Sequence, residues 1–247
     1  MSDALHIDES KLYFGYDIYI NDYIKIHTPT IGEIIEYGES DYYSMISSLT
    51  AIPSDMKSRL FDLGIDYEEI PDFDFFFLLT RDLTKEQSNI LLYDLDLSKY
   101  EMYVDPENEK HIMYNPYDET KIDELAYAKI MKCIRTMHYI KPKVEKAANK
   151  TTKRILIDLD RQKHKKHQQE EYKSTLIPLV SAMMRYPGFK YKSNELKECT
   201  IYEFMDTVRG SQIYIQSTSL IQGSYSGMID TSKINKKEFD WMRDAER

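Results

Sequence analysis

His164, His167 and Glu171 are spaced i, i+3 and i+7, so a helix would carry them on one face. Zinc would use such neighbours together with a further ligand. They sit in a Lys- and Gln-rich stretch without an apolar surround, which reads as a solvated helix face. Asp72/Asp74, Asp94/Asp96 and Asp158/Asp160 are Asp-x-Asp pairs. Magnesium sites do combine carboxylates with substrate phosphates. In a helix, however, residues i and i+2 point about 200° apart and would not share an ion. No Gly-x-Gly-x-x-Gly or P-loop pattern accompanies them. Gly223-Ser224-Tyr225-Ser226-Gly227 approaches a nucleophile elbow, but Tyr225 holds the place where the serine is needed. Cys133 lies mid-way along an amphipathic segment and reads as core packing. Cys199 lies near a helix start, where a thiolate is favoured. No nucleophile, base and oxyanion donors can be grouped, so an enzyme is the weakest reading, and no metal or cofactor is expected.

Two stretches instead suggest surfaces. Lys141, Lys143, Lys146, Lys150, Lys153, Arg154, Arg161, Lys163, Lys165 and Lys166 form a basic run. Phosphate binding there would be steeply salt-dependent. No aromatic residue falls between Lys141 and Gln169 to stack on bases. Docking on an acidic protein surface, the chain's own N-terminal half included, competes with nucleic acid, which is not the expected partner. Near the C-terminus, Phe239, Trp241 and Met242 place large apolar groups close together, and Trp241 is the only tryptophan. They should pack on their own domain or fill a partner's groove. The candidate partner-binding residues are therefore Phe239, Trp241, Met242, Lys163, Lys165 and Lys166.

The elements that must position them follow from local patterns. Lys11–Ile20 and Tyr23–Ile26 read as a short hairpin or two irregular strands. Thr30 to Glu33 fits a capping box that opens a helix through Tyr37, ended by Gly38. Asp41–Ala51 is predicted to be helical, with Tyr42, Met45, Ile46 and Leu49 on one face. A third helix starts at Pro53-Ser54, turns Met56, Leu60 and Leu63 inward and ends at Gly64. The phenylalanine-rich window Asp72–Leu83 reads as a buried helix, and Thr84 to Gln87 caps another through Leu92. Tyr100–Val104 and His111–Tyr114 flank Asp105-Pro106-Glu107-Asn108 and predict a hairpin. Ile122–Ile140 is an amphipathic helix. Lys143–Tyr172 is a polar helix, its segment 161–169 a linker or protruding arm. Leu176–Met184 is apolar and helical. Thr200 to Glu203 is a third capping box, opening a helix to about Leu220 that Gly210-Ser211 could kink. Gln222–Gly227 reads as a loop, and Asn235 caps a last short helix containing Phe239, Trp241 and Met242.

The chain has 247 residues, 42% hydrophobic, with a net charge of −9. That supports a folded core and argues against wholesale disorder and general nucleic-acid binding. Its charge is divided. Residues 1–118 hold 25 acidic and 8 basic side chains, and the remainder hold 17 and 25. Such a split suggests two units that attract each other or two separate partner surfaces. The expected fold is mainly α, or α+β with small β-hairpins: an acidic helical subdomain over 1–118 and a basic one over 119–247, joined by a long polar, basic helix with an exposed arm near 143–172. No apolar run is long enough to span a bilayer. MSDALHIDES lacks a basic n-region and an apolar h-region, so no secretory signal is expected. Two cysteines make no disulfide framework, which fits a reducing cytoplasm.

Three strings carry a family resemblance. They are Thr30-Ile31-Gly32-Glu33-Ile34-Ile35-Glu36-Tyr37-Gly38-Glu39, Lys141-Pro142-Lys143-Val144-Glu145-Lys146-Ala147-Ala148-Asn149-Lys150, and Tyr225-Ser226-Gly227-Met228-Ile229-Asp230 with Asp240-Trp241-Met242-Arg243. Together they resemble proteins of tailed bacteriophages and prophages of Gram-positive bacteria that are similar to tail assembly chaperones. The resemblance transfers no catalytic residue. It implies a non-enzymatic role in the host bacterial cytoplasm, holding tail components such as the tape-measure protein until the tail tube is built; a homo-oligomer is compatible with it. The alternatives are a structural tail or baseplate component of the virion, or a nucleic-acid-binding protein using the 141–166 basic arm.

Overall fold

Thr30 begins the architecture as the residue pattern dictates. Its hydroxyl accepts from the Glu33 N–H at 3.2 Å, and its own N–H donates to Glu33 Oε2 at 2.7 Å. This capping box starts α2 (Ile31–Tyr37). Gly38, at φ +106°, then turns the chain directly into α3 (Glu39–Thr50). Few residues other than glycine adopt that conformation. Tyr42, Met45, Ile46 and Leu49 of α3 are all buried, on the face their spacing predicts.

The computed structural model describes residues 5–106 and 109–244. Within them the chain is mainly α-helical, with five short strands in two antiparallel sheets. α1 (Glu9–Tyr13) precedes β1 (Ile18–Tyr19) and β2 (Lys25–Ile26), which pair with Ile18 opposite Ile26. The predicted strand at Lys11–Tyr13 is thus helical instead, capped by the Asp8 carboxylate on the Ser10 N–H. α4 (Lys57–Asp62) and the phenylalanine-rich α5 (Asp72–Thr80) follow, then α6 (Lys85–Leu92). β3 (Glu101–Val104), β4 (His111–Tyr114) and β5 (Lys121–Ile122) form one sheet. The hairpin is as predicted, although Glu107 and Asn108 of its expected turn lie outside the described residues, as does the start of the N-terminal string. α7 (Glu124–Met137) is capped by Asp123, whose carboxylate accepts from the Ala126 N–H at 2.7 Å. α8 (Lys150–Gln169), α9 (Leu176–Arg185), α10 (Ser193–Glu198) and α11 (Ile201–Tyr225) complete the α-helices. Among the described residues no helix is long and apolar enough to cross a membrane.

The boundary expected after Asp118 falls inside a sheet, because β4 pairs with β5 across it, Met113 opposite Ile122. One hydrophobic cluster runs from Ile7 through α2, α3 and α7 to Val208 of α11. The two charge halves therefore share a core. They also share a backbone ladder: Ile31 N–H donates to Cys199 O and Ile201 N–H to Pro29 O, each at 2.9 Å.

The polar helix departs from expectation. It starts at Lys150, where the Asn149 side chain accepts from the Thr152 N–H, and not at Lys143. Nor does it stand as a bridge between subdomains. It packs along α4, with Ile157 in a second, smaller cluster beside Leu60, Tyr67 and Phe75. The Asp160 carboxylate there is buried and accepts from the Ser58 N–H at 2.9 Å and hydroxyl at 2.7 Å. Asp158, two residues away, faces out to Arg161. Leu63 was expected to face inward but is 73% exposed; Gly64, at φ +75°, reverses the chain there, and Leu60 and Ile65 supply the apolar contacts instead. Thr200 caps α11 through the Glu203 N–H at 3.0 Å. The other half of that box is missing, because Glu203 Oε1 accepts from the Tyr191 hydroxyl.

Replacing Asp160 with Ala leaves two buried donors of Ser58 without an acceptor. We expect a loss of about 1–3 kcal/mol in denaturant unfolding, against about 0.5 kcal/mol or less for Asp158→Ala on the same helix. A second test concerns His138, which links α7 to α3. Its Nε2 lies 2.6 Å from the Tyr42 hydroxyl and its Nδ1 2.8 Å from Ile134 O. Burial, opposed by the bond to the Ile134 carbonyl, pushes its pKa down to about 4. Between that value and the ordinary value near 6.5 the unfolded chain binds more protons. Stability therefore falls as pH drops through this window, by about 3 kcal/mol. Thermal melts of the wild type between pH 7 and pH 4 should show this loss, and His138→Gln should remove that part of the pH dependence.

Candidate functional site

α11 begins inside the main core and ends outside it. Ile201, Tyr202, Phe204 and Val208 are buried. Beyond Val208, Ser217 is the one buried residue among those described. At about 1.5 Å per residue, the remainder of α11 extends about 25 Å past the core. The helix runs on to Tyr225, through most of the predicted loop, because Ser226 and Gly227 only then close it, Gly227 at φ +67°. The chain next doubles back. A Cβ on Gly223 would fall 2.2 Å from Ile229 Cδ1, so the returning segment can lie against α11 there only because a side chain is missing.

The return is tied at one point. The buried Ser217 hydroxyl donates to Glu238 O at 2.8 Å. Arg243 Nη1 donates to the same carbonyl at 2.8 Å and to Lys237 O at 3.2 Å, and its Nη2 pairs with Glu238 Oε2 at 2.7 Å. The Trp241 ring meets Tyr214 of α11 edge-on, with centroids 5.9 Å apart. Asn235 caps a 3-10 turn over Lys236–Phe239 as expected, but Trp241 and Met242 lie beyond that turn. Phe239 is half-buried, Trp241 is 51% exposed and Met242 72%. Tyr214, Ile215, Tyr225 and Met228 add exposed apolar area on the same arm. This collection offers dispersion and aromatic contact, with the arm's arginine engaged internally. Trp is the residue type most enriched at binding hot spots, and Met adapts to varied partners.

The second predicted group lies elsewhere. Lys163, Lys165 and Lys166 are on the last turns of α8, all exposed, with Lys166 3.9 Å from Glu170. The basic run around them is partly engaged within the fold. Lys153 Nζ pairs with Glu68 at 2.7 Å and with Asp66, and Arg161 Nη2 pairs with Asp62 at 2.6 Å. His164 Nε2 lies 3.6 Å from the Asp160 carboxylate, while His167 and Glu171 face solvent. Among the described residues no group of three His, Cys, Asp or Glu side chains is arranged to hold a metal ion. The other acidic pairs are engaged singly: Asp74 with His111 at 2.6 Å, Asp94 with Lys85 at 2.6 Å, and Asp96 as the cap of a 3-10 turn.

Both thiols are buried. Burial pushes Cys133 up to about 12. Cys199 is raised too, by burial first and then by the Glu203 carboxylate, which outweigh any favour from the helix start. The sequence pattern also gave no notice of a hollow of about 590 Å³ beside α7, walled in part by Tyr127, Tyr139 and Tyr202. Tyr139 stacks on Tyr202 at 5.5 Å and donates to Asp206, and Tyr202 donates to Glu9, so these hydroxyls hold the fold together. The Arg243 tie was likewise missed; its only sequence signal is an arginine following the Trp-Met pair.

Because Trp241 is the chain's only tryptophan, its emission reports on the arm alone. Arg243→Ala should shift that emission to the red and lower its anisotropy, while far-ultraviolet circular dichroism and the thermal midpoint of the body stay as in the wild type. An unchanged emission spectrum would show that the tie does not hold the return in place. Comparison with protein-family models, curated proteins and solved structures gave no match to this chain.

Proposed function

We propose that this protein works by holding another polypeptide against its C-terminal arm, as a phage tail assembly factor: a chaperone for the tape-measure or other tail proteins in the host bacterial cytoplasm. The observation that carries this reading is the exposure of Met228, Trp241 and Met242 on an arm that belongs to neither hydrophobic cluster. Large apolar groups presented to water along one arm point to an interaction surface. A tape-measure protein, as the family resemblance implies, is long and helical, with apolar faces uncovered before assembly. An amphipathic helix of that kind can be covered by an aromatic and thioether surface through packing alone. Neither bond making nor a cofactor enters this role.

Capture of tape-measure protein by the immobilised chain tests the reading. The double variant Trp241→Ser, Met242→Ser should weaken capture at least about tenfold without moving the thermal midpoint, as loss of an exposed hot spot does. Undiminished capture would exclude the arm as the binding site. Mass spectrometry of purified particles separates the two roles within the resemblance: a chaperone is absent from or scarce in mature virions, whereas abundant recovery would make the protein a tail or baseplate component.

A further inference from the structure

The second hydrophobic cluster is not closed on its outer side. A hollow of about 330 Å³ opens between α4 and α8, lined by Phe61, Ile65, Tyr67 and Ile157 on its apolar walls. Phe61 is 55% exposed at its edge. Lys150, Lys153 and Arg154, from the first turns of α8, supply its cationic side.

These cations are not equivalent. Lys153 is neutralised within the fold by Asp66 and Glu68 and lies over the Tyr67 ring, 5.1 Å from its centroid. Lys150 and Arg154 have no carboxylate within ion-pair distance among the described residues. They stand one helical turn apart, on the same side of α8. The Tyr67 side chain is buried, and burial and then the neighbouring Glu68 carboxylate hold its hydroxyl above the usual range. The neighbouring Glu68 carboxylate is engaged by Lys153 Nζ and the Ala147 N–H.

We infer that this hollow is a docking groove for an acidic peptide segment of another protein carrying a large apolar side chain. The apolar side chain would lie against Phe61, Ile65 and Ile157, and carboxylates beside it would meet Lys150 and Arg154. Charge complementarity selects this occupant. Lys150 and Arg154, not neutralised within the fold, stand beside apolar walls, so carboxylates flanking a large apolar side chain can meet both features at once. The groove is separate from the C-terminal arm, and the proposal does not depend on the arm's role.

Fluorescence polarisation with the full chain tests it, using as probe a short fluorescein-labelled peptide of alternating acidic residues and Leu or Phe. The probe should bind, and a version with Lys in place of the acids should not. Lys150→Glu with Arg154→Glu should weaken binding by roughly tenfold or more, and Phe61→Ser should weaken it independently. These positions are at the surface, and a thermal melt confirms that each variant is folded. Trp241→Ser, Met242→Ser should bind the probe as the wild type does, which separates this site from the arm. Absence of binding, indifference to the charge reversal, or equal binding of an acidic peptide with Ser at the apolar positions would overturn the proposal. So would sedimentation showing a self-associating chain whose dimer is broken by the same charge reversal, since the occupant would then be a second copy.

Discussion

The chain's organisation depends on a short backbone ladder between residues 29–31 and 199–201, where the N-caps of α2 and α11 lie side by side. Both caps are threonines with hydroxyls already turned toward their own helices. The approach is close: a Cβ on Gly15 would sit 3.1 Å from Thr200 Cγ2, and one on Gly32 would sit 3.0 Å from Lys197 O. This junction anchors the start of α11 beside α1 and α2, which buries Ile201, Tyr202 and Phe204 and commits the rest of that helix to leaving the core. The arm is thus a consequence of where one helix is pinned and how long it is.

The division of charge takes on meaning within this frame. The acidic and basic halves share one core, and several of their opposite charges meet: Lys153 with Asp66 and Glu68, Arg161 with Asp62, and Lys57 with Glu145 at 2.9 Å. The exposed Asp62 makes its pair weak, whereas Lys57 is buried and depends on Glu145 for its counter-charge. Their effect is to fix where α8 lies along α4, together with the buried Asp160–Ser58 contact, whose donors need that carboxylate. Along α8, the cations without an acid at ion-pair distance among the described residues are Lys150 and Arg154 beside the apolar hollow and Lys163 and Lys165 at its far end, all exposed.

What could be read from residues alone was what residues settle locally. The Thr30–Glu33 box, the inward face of α3, the helix through Phe73, Phe75 and Phe76 and the hairpin of β3 and β4 all have short-range causes. The errors have long-range ones. Glu203 could not complete its box because Tyr191 takes its carboxylate. Leu63 faces out because a positive φ at Gly64 redirects the chain and Ile65 fills its place. α8 looked free because its apolar side is narrow, yet Ile157 and Asp160 suffice to dock it. The same holds for the sites. Phe239, Trp241 and Met242 were visible as a cluster, but the Arg243 tie, the Tyr214 ring beneath Trp241 and the hollow over Ile157 arise only when distant segments meet.

The doubled-back end of the chain has a consequence for how the molecule opens. Its interior consists of one serine hydroxyl and one guanidinium bonded to a handful of carbonyls, with little apolar surface sealed from water. Such a segment forms its own cooperative unit and peels away at a free energy well below that needed to melt the body. Amide protons there should exchange with solvent early, and a protease should nick this hairpin while the globular portion is still intact. A tip that comes undone so readily can re-lay its side chains along surfaces of different contour without the remainder of the protein having to move.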